Sequence, residues 1–129
     1  MNKRILSTAA IMAVVAIVLG AFGAHKLKAL LSVESLQAFE TGVRYQMYHV
    51  FLLLFLGGYN MLSIKSKKVL YNLTCIGVLL FSGSIYLLST QKITGIDFSS
   101  IGFITPIGGM VLIVTWLYLL RFFLKLKKS

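Results

Sequence analysis

Four long runs of the chain contain no formally charged residue, and they limit the possible folds more than any other feature of the sequence. The runs cover residues 5–24, 45–64, 69–91 and 98–120. Each can cross a bilayer, because about 20 helical residues at ~1.5 Å rise span the ~30 Å hydrocarbon core. They are continuously apolar, whereas barrel strands alternate in polarity. The sequence therefore predicts an all-α integral membrane four-helix bundle in which residues 1–129 form a single four-span transmembrane domain.

Positively charged residues cluster at the ends of these runs, and their distribution predicts the orientation. In a four-span arrangement one side of the membrane holds Lys3, Arg4, Lys65, Lys67, Lys68, Arg121, Lys125, Lys127 and Lys128. The other side holds four cations and all three acids, namely Lys26, Lys28, Arg44, Lys92, Glu34, Glu40 and Asp97. By the positive-inside rule, both termini face the cytoplasm. A net charge of +10 placed in this way argues against nucleic-acid binding.

The ten lysines against three arginines are typical of an AT-rich bacterial genome, which suggests a bacterial plasma (inner) membrane protein. The first run, preceded by Lys3 and Arg4, also resembles a signal peptide, but its length favours a retained span. The single cysteine, Cys75, lies within the third run, so the chain predicts no internal disulfide.

Residues 25–44, between the first two runs, are too polar to cross a bilayer but show a helical pattern. Its apolar positions are Val33, Leu36, Phe39 and Val43. The pattern predicts a short amphipathic segment that lies along the interface or caps the bundle. Ser32 is its predicted N-cap, and Glu34 falls in the first turn, where negative charge is favourable. Gly42 either bends the chain into the second span or lies within one unbroken helix.

The start of the fourth helix has two possible positions. Thr105 and Pro106 fit the N-cap and the first position of a helix, because the missing N–H of proline is not needed there. A helix that starts near Ser99 would instead be kinked at Pro106.

Small residues at helical spacing predict where helices approach closely. Ala16, Gly20 and Ala24 form one stripe on the first span, and Gly83, Gly108 and Gly109 lie in the third and fourth. The stripe is also the predicted docking face for a membrane protein partner or for a second copy in a homo-oligomer.

The stretch RYQMYH, residues 44–49, places polar side chains directly ahead of the second apolar run. On a helix, Glu40 and Arg44 have the spacing and order that favour an ion pair. Tyr45 and His49 have the same spacing, so the phenol could orient the imidazole. The candidates for a polar network or ligand site at the non-cytoplasmic end are His25, Glu40, Arg44, Tyr45, Tyr48, His49 and Thr105.

Three interpretations of these residues remain open. They could form an internal network that closes the bundle, since polar groups at membrane depth need partners. They could bind a lipid headgroup or small anion with Arg44 as the charge anchor. His25 and His49 could hold haem or a metal, but they lack a spacing motif, so no cofactor is expected. No nucleophile stands beside a base, which favours a structural or partner-binding membrane component over an enzyme.

Four motifs together resemble a known family: GAFGAH at 20–25, TGVRYQMYH at 41–49, FSGSIY at 81–86 and TPIGG at 105–109. The chain is similar to the small four-span membrane proteins called domain of unknown function 423, which include bacterial YgdD-like proteins and vertebrate transmembrane protein 256. The resemblance implies an all-helical integral membrane protein, located in the bacterial inner membrane or, for eukaryotic members, in mitochondria. It implies no activity.

Overall fold

Four long helices make up most of the protein in the computed structural model, which describes residues 1–127. They are α1 (Asn2–Leu30), α2 (Val33–Gly58), α3 (Ile64–Ser89) and α4 (Ile104–Leu124). A helical turn, Gln91–Thr94, and a 3-10 turn, Ser99–Ile101, connect α3 to α4. The described residues contain no strand, so the predicted all-α class is confirmed.

Three of the helices are long and apolar enough to cross a membrane. They are α1, α3 and the stretch Ser99–Leu124, which includes α4. The remaining long helix, α2, has 26 residues, but its sequence is more polar because it contains Arg44, Gln46 and His49.

The helix α2 begins after the predicted N-cap, Ser32, and continues without a break through the second apolar run to Gly58. The Ser32 Oγ accepts a hydrogen bond from the Ser35 N–H at 3.2 Å, which confirms the N-cap. From Val33 to Gly58 the helix is unbroken. Residues 33–44 are therefore the first turns of α2, which is the unbroken alternative, and their position along an interface stays a prediction. Gly42 lies within this helix and packs against Tyr86 and Ile85 of α3.

The fourth helix begins at Ile104, two residues before Pro106, and its N-cap residue makes no side-chain hydrogen bond. Pro106 therefore lies in the first turn, where backbone N–H groups have no partner within the helix. This position explains why proline is accommodated there. Thr105 is the second helical residue, so the helix starts close to the first of the two possible positions and not near Ser99.

Two helices contain a π-helical turn, a local widening that is often found at functional sites. One is Gly23–Leu27 in α1, and the other is Leu79–Gly83 in α3. The π turn of α3 brings its backbone against α4. An ideal Cβ on Gly108 would lie 2.7 Å from the carbonyl carbon of Leu80 and 2.8 Å from the Cα of Phe81.

The apolar core is centred on α2. The main cluster contains Ile5, Ala9, Val50, Leu52, Leu53, Leu56, Leu62, Leu70, Tyr71 and Leu119. A smaller cluster of Leu27, Leu31 and Phe39 lies at the other end. Outward-facing apolar side chains on α1 and α4 are exposed, among them Ile11, Val14, Ile17, Met110, Ile113 and Leu117. This distribution suits a protein whose outer surface meets acyl chains.

The small-residue stripe of α1 is partly used inside the bundle. Ala16 is buried, and a Cβ on Gly20 would lie 3.5 Å from the Val43 Cγ1 of α2. Ala24 is exposed. The first two positions therefore pack within the bundle, and a partner that docks on the stripe stays a prediction. A Cβ on Gly83 would meet only Leu79 of its own helix, at 3.8 Å.

We expect Gly108→Ala to destabilise the bundle, because the added methyl group meets the α3 backbone, which cannot move aside as a side chain can. Overpacking of this kind costs about 1–3 kcal/mol. Gly109→Ala is the matched control, since its Cβ would lie 3.6 Å from the Phe81 ring, an ordinary contact. The measurement is the free energy of unfolding in detergent. Equal stability of the two variants would contradict the close approach of α3 and α4.

Candidate functional site

The most connected polar side chain of the bundle is Gln46, which is buried in the middle of α2. Its Nε2 donates to the carbonyl oxygen of Met12 in α1 at 2.8 Å. Its Oε1 accepts from the Tyr86 hydroxyl of α3 at 2.7 Å. One amide therefore joins three helices, and both of its polar atoms are paired, as buried amides require.

A second link between α2 and α3 lies one helical turn away. The buried Ser82 hydroxyl, within the π turn of α3, donates to the carbonyl oxygen of Gly42 at 2.7 Å. Gly42 precedes Gln46 by four residues, and Ser82 precedes Tyr86 by four, so each helix uses one face for both links. A Cβ on Gly42 would lie 2.8 Å from the Tyr86 Cε1, so a larger residue there would disturb both links.

His49, one turn beyond Gln46 on α2, is held at both ring nitrogens. The Trp116 Nε1 of α4 donates to the His49 Nε2 at 3.1 Å. Since an indole nitrogen can only donate, the proton of the neutral imidazole lies on Nδ1, which donates to the Tyr45 carbonyl oxygen at 2.7 Å. His49 is buried, and neither nitrogen is left open for a metal.

Helices α3 and α4 are joined by two hydroxyl groups. The Ser84 Oγ lies 2.5 Å from the Thr105 Oγ1, and Ser84 is buried. Beside this pair, the Tyr45 ring packs against Phe81 with centroids 4.9 Å apart and against Tyr48 at 5.5 Å. Together with the links of Gln46, Ser82 and His49, the hydroxyl pair completes a polar network that touches all four long helices, and the aromatic contacts pack beside it.

The structure divides the seven candidate residues into two groups. His49 and Thr105 belong to the network, whereas His25, Glu40, Arg44, Tyr45 and Tyr48 are exposed. The predicted Glu40–Arg44 ion pair is absent, and over residues 1–127 no ion pair lies within 4.0 Å; the Arg44 Nη2 donates to the Thr41 Oγ1 at 3.0 Å. The Tyr45 backbone carbonyl, rather than its phenol, orients the His49 ring.

Several residues of the network were outside the predicted set: Gln46, Ser82, Ser84, Tyr86 and Trp116. The prediction followed the polar arc of α2, whereas Gln46 faces α1 and α3. The useful signal was that each of these polar groups interrupts an apolar run, where an unpaired donor or acceptor is costly.

A groove on the membrane-facing surface lies next to His49. It has a volume of about 650 Å³ and is lined by Tyr45, His49, Phe81, Gly109, Leu112, Ile113, Trp116, Leu117 and Leu120. The lining is mostly aliphatic and aromatic, and both nitrogens of its one histidine are already bonded. Such a surface suits acyl chains better than a polar substrate.

The connection between α3 and α4 contains one acid with a shifted titration. The Ser99 hydroxyl donates to the Asp97 Oδ1 at 2.5 Å, and the Ser99 backbone N–H donates to the same oxygen at 2.9 Å. These two hydrogen bonds favour the ionised form and lower the pKa of the Asp97 carboxyl. Asp97 therefore stabilises the start of the 3-10 turn as a carboxylate.

The fold and the network define an all-helical membrane protein whose helices are joined by buried side chains. Residues 19–109 match the family described as "Protein of unknown function (DUF423)". The chain belongs to this family, as the resemblance of its four motifs predicted.

Bacterial relatives match nearly the whole chain. The UPF0382 membrane protein YwdK of Bacillus subtilis (strain 168) is 40% identical over 118 residues, which cover 89% of this chain and 91% of the relative. A UPF0382 membrane protein of Haemophilus influenzae is 33% identical over 119 residues, covering 92% of each. No solved structure matches the chain. The similarity to named membrane proteins confirms the predicted membrane class.

We expect Gln46→Leu to lower the free energy of unfolding in detergent by about 1–3 kcal/mol, because it leaves the Tyr86 hydroxyl without an acceptor. Adding Tyr86→Phe removes that unpaired hydroxyl. The double variant should therefore lose at least about 0.5 kcal/mol less than the sum of the single variants. Gln37→Leu, the same change at an exposed position of α2, is the control. Strict additivity would contradict the Gln46–Tyr86 link.

Proposed function

We propose that the protein is a non-catalytic structural component of the bacterial plasma membrane, in which buried polar side chains hold the helices together rather than bind a substrate. One observation carries the proposal. In the described part of the chain, every buried side-chain nitrogen or oxygen has a hydrogen-bond partner within the protein. A site for a polar ligand would instead present groups that the ligand satisfies.

The proposal includes α2 as a fourth span. The helix has 26 residues, which is enough to cross a bilayer. Its buried polar groups, Gln46 and His49, are bonded to α1, α3 and α4, so they can lie at hydrocarbon depth without an unpaired group. The whole chain then forms one four-span domain. With four crossings, both termini lie on the same side, and the charge distribution favours the cytoplasm.

The alternative function, binding of a lipid or small anion at the non-cytoplasmic end, has less support. Arg44 is exposed and has donors to spare, since its one hydrogen bond within the described residues goes to Thr41. Thr105, however, bonds to Ser84, and both His49 nitrogens are bonded elsewhere. The residues that would surround an anion are therefore not directed toward Arg44.

Reporter fusions test the four-span topology. We expect alkaline phosphatase fused after Leu31 or Ile96 to be active, because both points would lie outside the cytoplasm. Alkaline phosphatase fused after Met61 or at the C-terminus should be inactive. Green fluorescent protein fused at the same two points should be fluorescent. An active phosphatase fused after Met61 would show that α2 does not cross.

Native mass spectrometry and visible absorption of the detergent-purified protein test the structural role. We expect no chromophore and no adduct that depends on the network. Gln46→Leu and His49→Ala should lower the melting temperature while leaving the adduct pattern equal to that of the wild type. A bound molecule that is lost from His49→Ala at a temperature where the variant is still folded would overturn the proposal. Phospholipid adducts that are unaffected by both variants leave it intact.

A further inference from the structure

The first turns of α1 and α3 and the last turn of α4 meet at one end of the bundle, here called the basic end. The Lys67 Nζ of α3 donates to the Asn2 Oδ1 of α1 at 2.9 Å, and the Tyr118 hydroxyl of α4 donates to the Ser66 Oγ of α3 at 3.4 Å. The described cations of this end are Lys3, Arg4, Lys65, Lys67, Lys68, Arg121, Lys125 and Lys127.

The charges at the basic end oppose the dipoles of two helices. A helix N-terminus carries partial positive charge and favours acids in its first turn. The first turns of α1 and α3 contain no acid, and they contain lysine or arginine instead. At the opposite end, α2 follows the favourable pattern, with Glu34 in its first turn. The basic end therefore needs negative charge that these two helices do not supply.

No carboxylate of the described chain supplies that charge. Lys67 is 4% exposed, yet its hydrogen bond is to the neutral amide of Asn2. The Arg4 guanidinium lies 5.6 Å from the centre of the Tyr71 ring, a cation–π contact without a counter-ion. The acids lie at the other end, Glu34 and Glu40 in the first turns of α2 and Asp97 in the connection between α3 and α4. The described residues therefore supply no acid to this end, and an anion from outside the described chain would be attracted to it.

A cavity at the basic end has the chemistry to hold such an anion. It measures about 420 Å³ and is lined by Ser66, Tyr118, Arg121, Phe122 and Lys125. The Ser66 Oγ accepts hydrogen bonds from the hydroxyls of Ser63, at 3.1 Å, and Tyr118, at 3.4 Å. Its own hydroxyl hydrogen is therefore free to donate outward. The lining therefore includes two cationic residues and one hydroxyl residue with a donor to offer.

We propose that this cavity binds the phosphate of an anionic phospholipid headgroup, with Arg121 and Lys125 as the cationic contacts and Ser66 as a neutral donor. The cavity lies where α3 begins and α4 ends, and both helices can cross a membrane, so its depth matches that of the headgroups. Phe122 supplies an apolar wall that suits the glycerol and first acyl carbons of a lipid, and a free inorganic anion would not use it. The proposal goes beyond the structural role, but it rests on the proposed crossing of α2, because the first turns of α1 and α3 meet at the same end. The reporter fusions test that crossing separately.

Native mass spectrometry of the full chain in detergent, titrated with phosphatidylglycerol or phosphatidylcholine, tests the site. We expect the wild type to retain phosphatidylglycerol in preference to phosphatidylcholine. Arg121→Gln/Lys125→Gln should weaken phosphatidylglycerol binding about thirtyfold, because each cation in direct contact with the phosphate contributes about a factor of five. Ser66→Ala should weaken binding by a smaller factor.

Two control double variants each remove two positive charges at positions outside the cavity lining. Lys65→Gln/Lys68→Gln changes exposed cations of the basic end outside the cavity lining, and Lys26→Gln/Lys28→Gln changes exposed cations of the opposite end. Both should weaken binding less than threefold. An equal loss in Lys65→Gln/Lys68→Gln and Arg121→Gln/Lys125→Gln would show a diffuse charge effect and overturn the site. Unchanged binding in Arg121→Gln/Lys125→Gln would overturn it as well.

Competition with inorganic phosphate distinguishes the source of the anion. Phosphate at millimolar concentration should not displace phosphatidylglycerol, and displacement would indicate a free-anion site. Melting temperature is measured for every variant. If Arg121→Gln/Lys125→Gln does not fold, Arg121→Gln alone is compared with Lys65→Gln, and a fivefold weakening is expected in the first only.

Discussion

The structure depends on one constraint: a polar group within the hydrocarbon region must find its partner inside the protein. Gln46 meets that constraint for three helices at once, since its amide joins Met12 of α1 to Tyr86 of α3. Ser82 adds a second link between α2 and α3, and His49 and Thr105 extend the same principle to the pairs that include α4. Apolar packing in lipid is not selective, because acyl chains are as apolar as the side chains that they replace. The directional bonds therefore select which helices pair and in which register.

The close approach of α3 and α4 depends on the backbone rather than on side chains. The π turn at Leu79–Gly83 brings the Leu80 and Phe81 backbone against Gly108, where no Cβ intervenes. This contact places Phe81 beside Tyr45 and places Ser84 within reach of Thr105. The widened turn and the glycine thus position the side chains that complete the network.

The fold class was predictable from the sequence because charge-free runs of membrane length have few alternatives. The start of α2 at Ser32 was equally predictable, since its capping chemistry is local. The hydrogen-bond partners of the buried polar side chains were not predictable. The polar arc of α2 drew attention to Glu40 and Arg44, which are exposed, whereas Gln46 lies on the face that meets α1 and α3. The donor to His49 is Trp116, which is 67 residues away in the chain, and no pattern within one helix can identify it. Helix spacing shows which residues share a face, but not which helix that face meets.

The bond from Gln46 to the Met12 carbonyl has a consequence for how the protein enters the membrane. Gln46 and His49, at the middle of α2, make it unfavourable for this helix to pass from the insertion machinery into lipid without a partner helix. Two residues separate α1 from α2, so α1 is at hand when Gln46 is synthesised, whereas Tyr86 and Trp116 follow later. In the proposed four-span arrangement, α1 and α2 would partition into lipid as one hairpin, with the Met12 carbonyl of α1 accepting the Gln46 hydrogen bond. The order of the helices along the chain is then part of the folding mechanism.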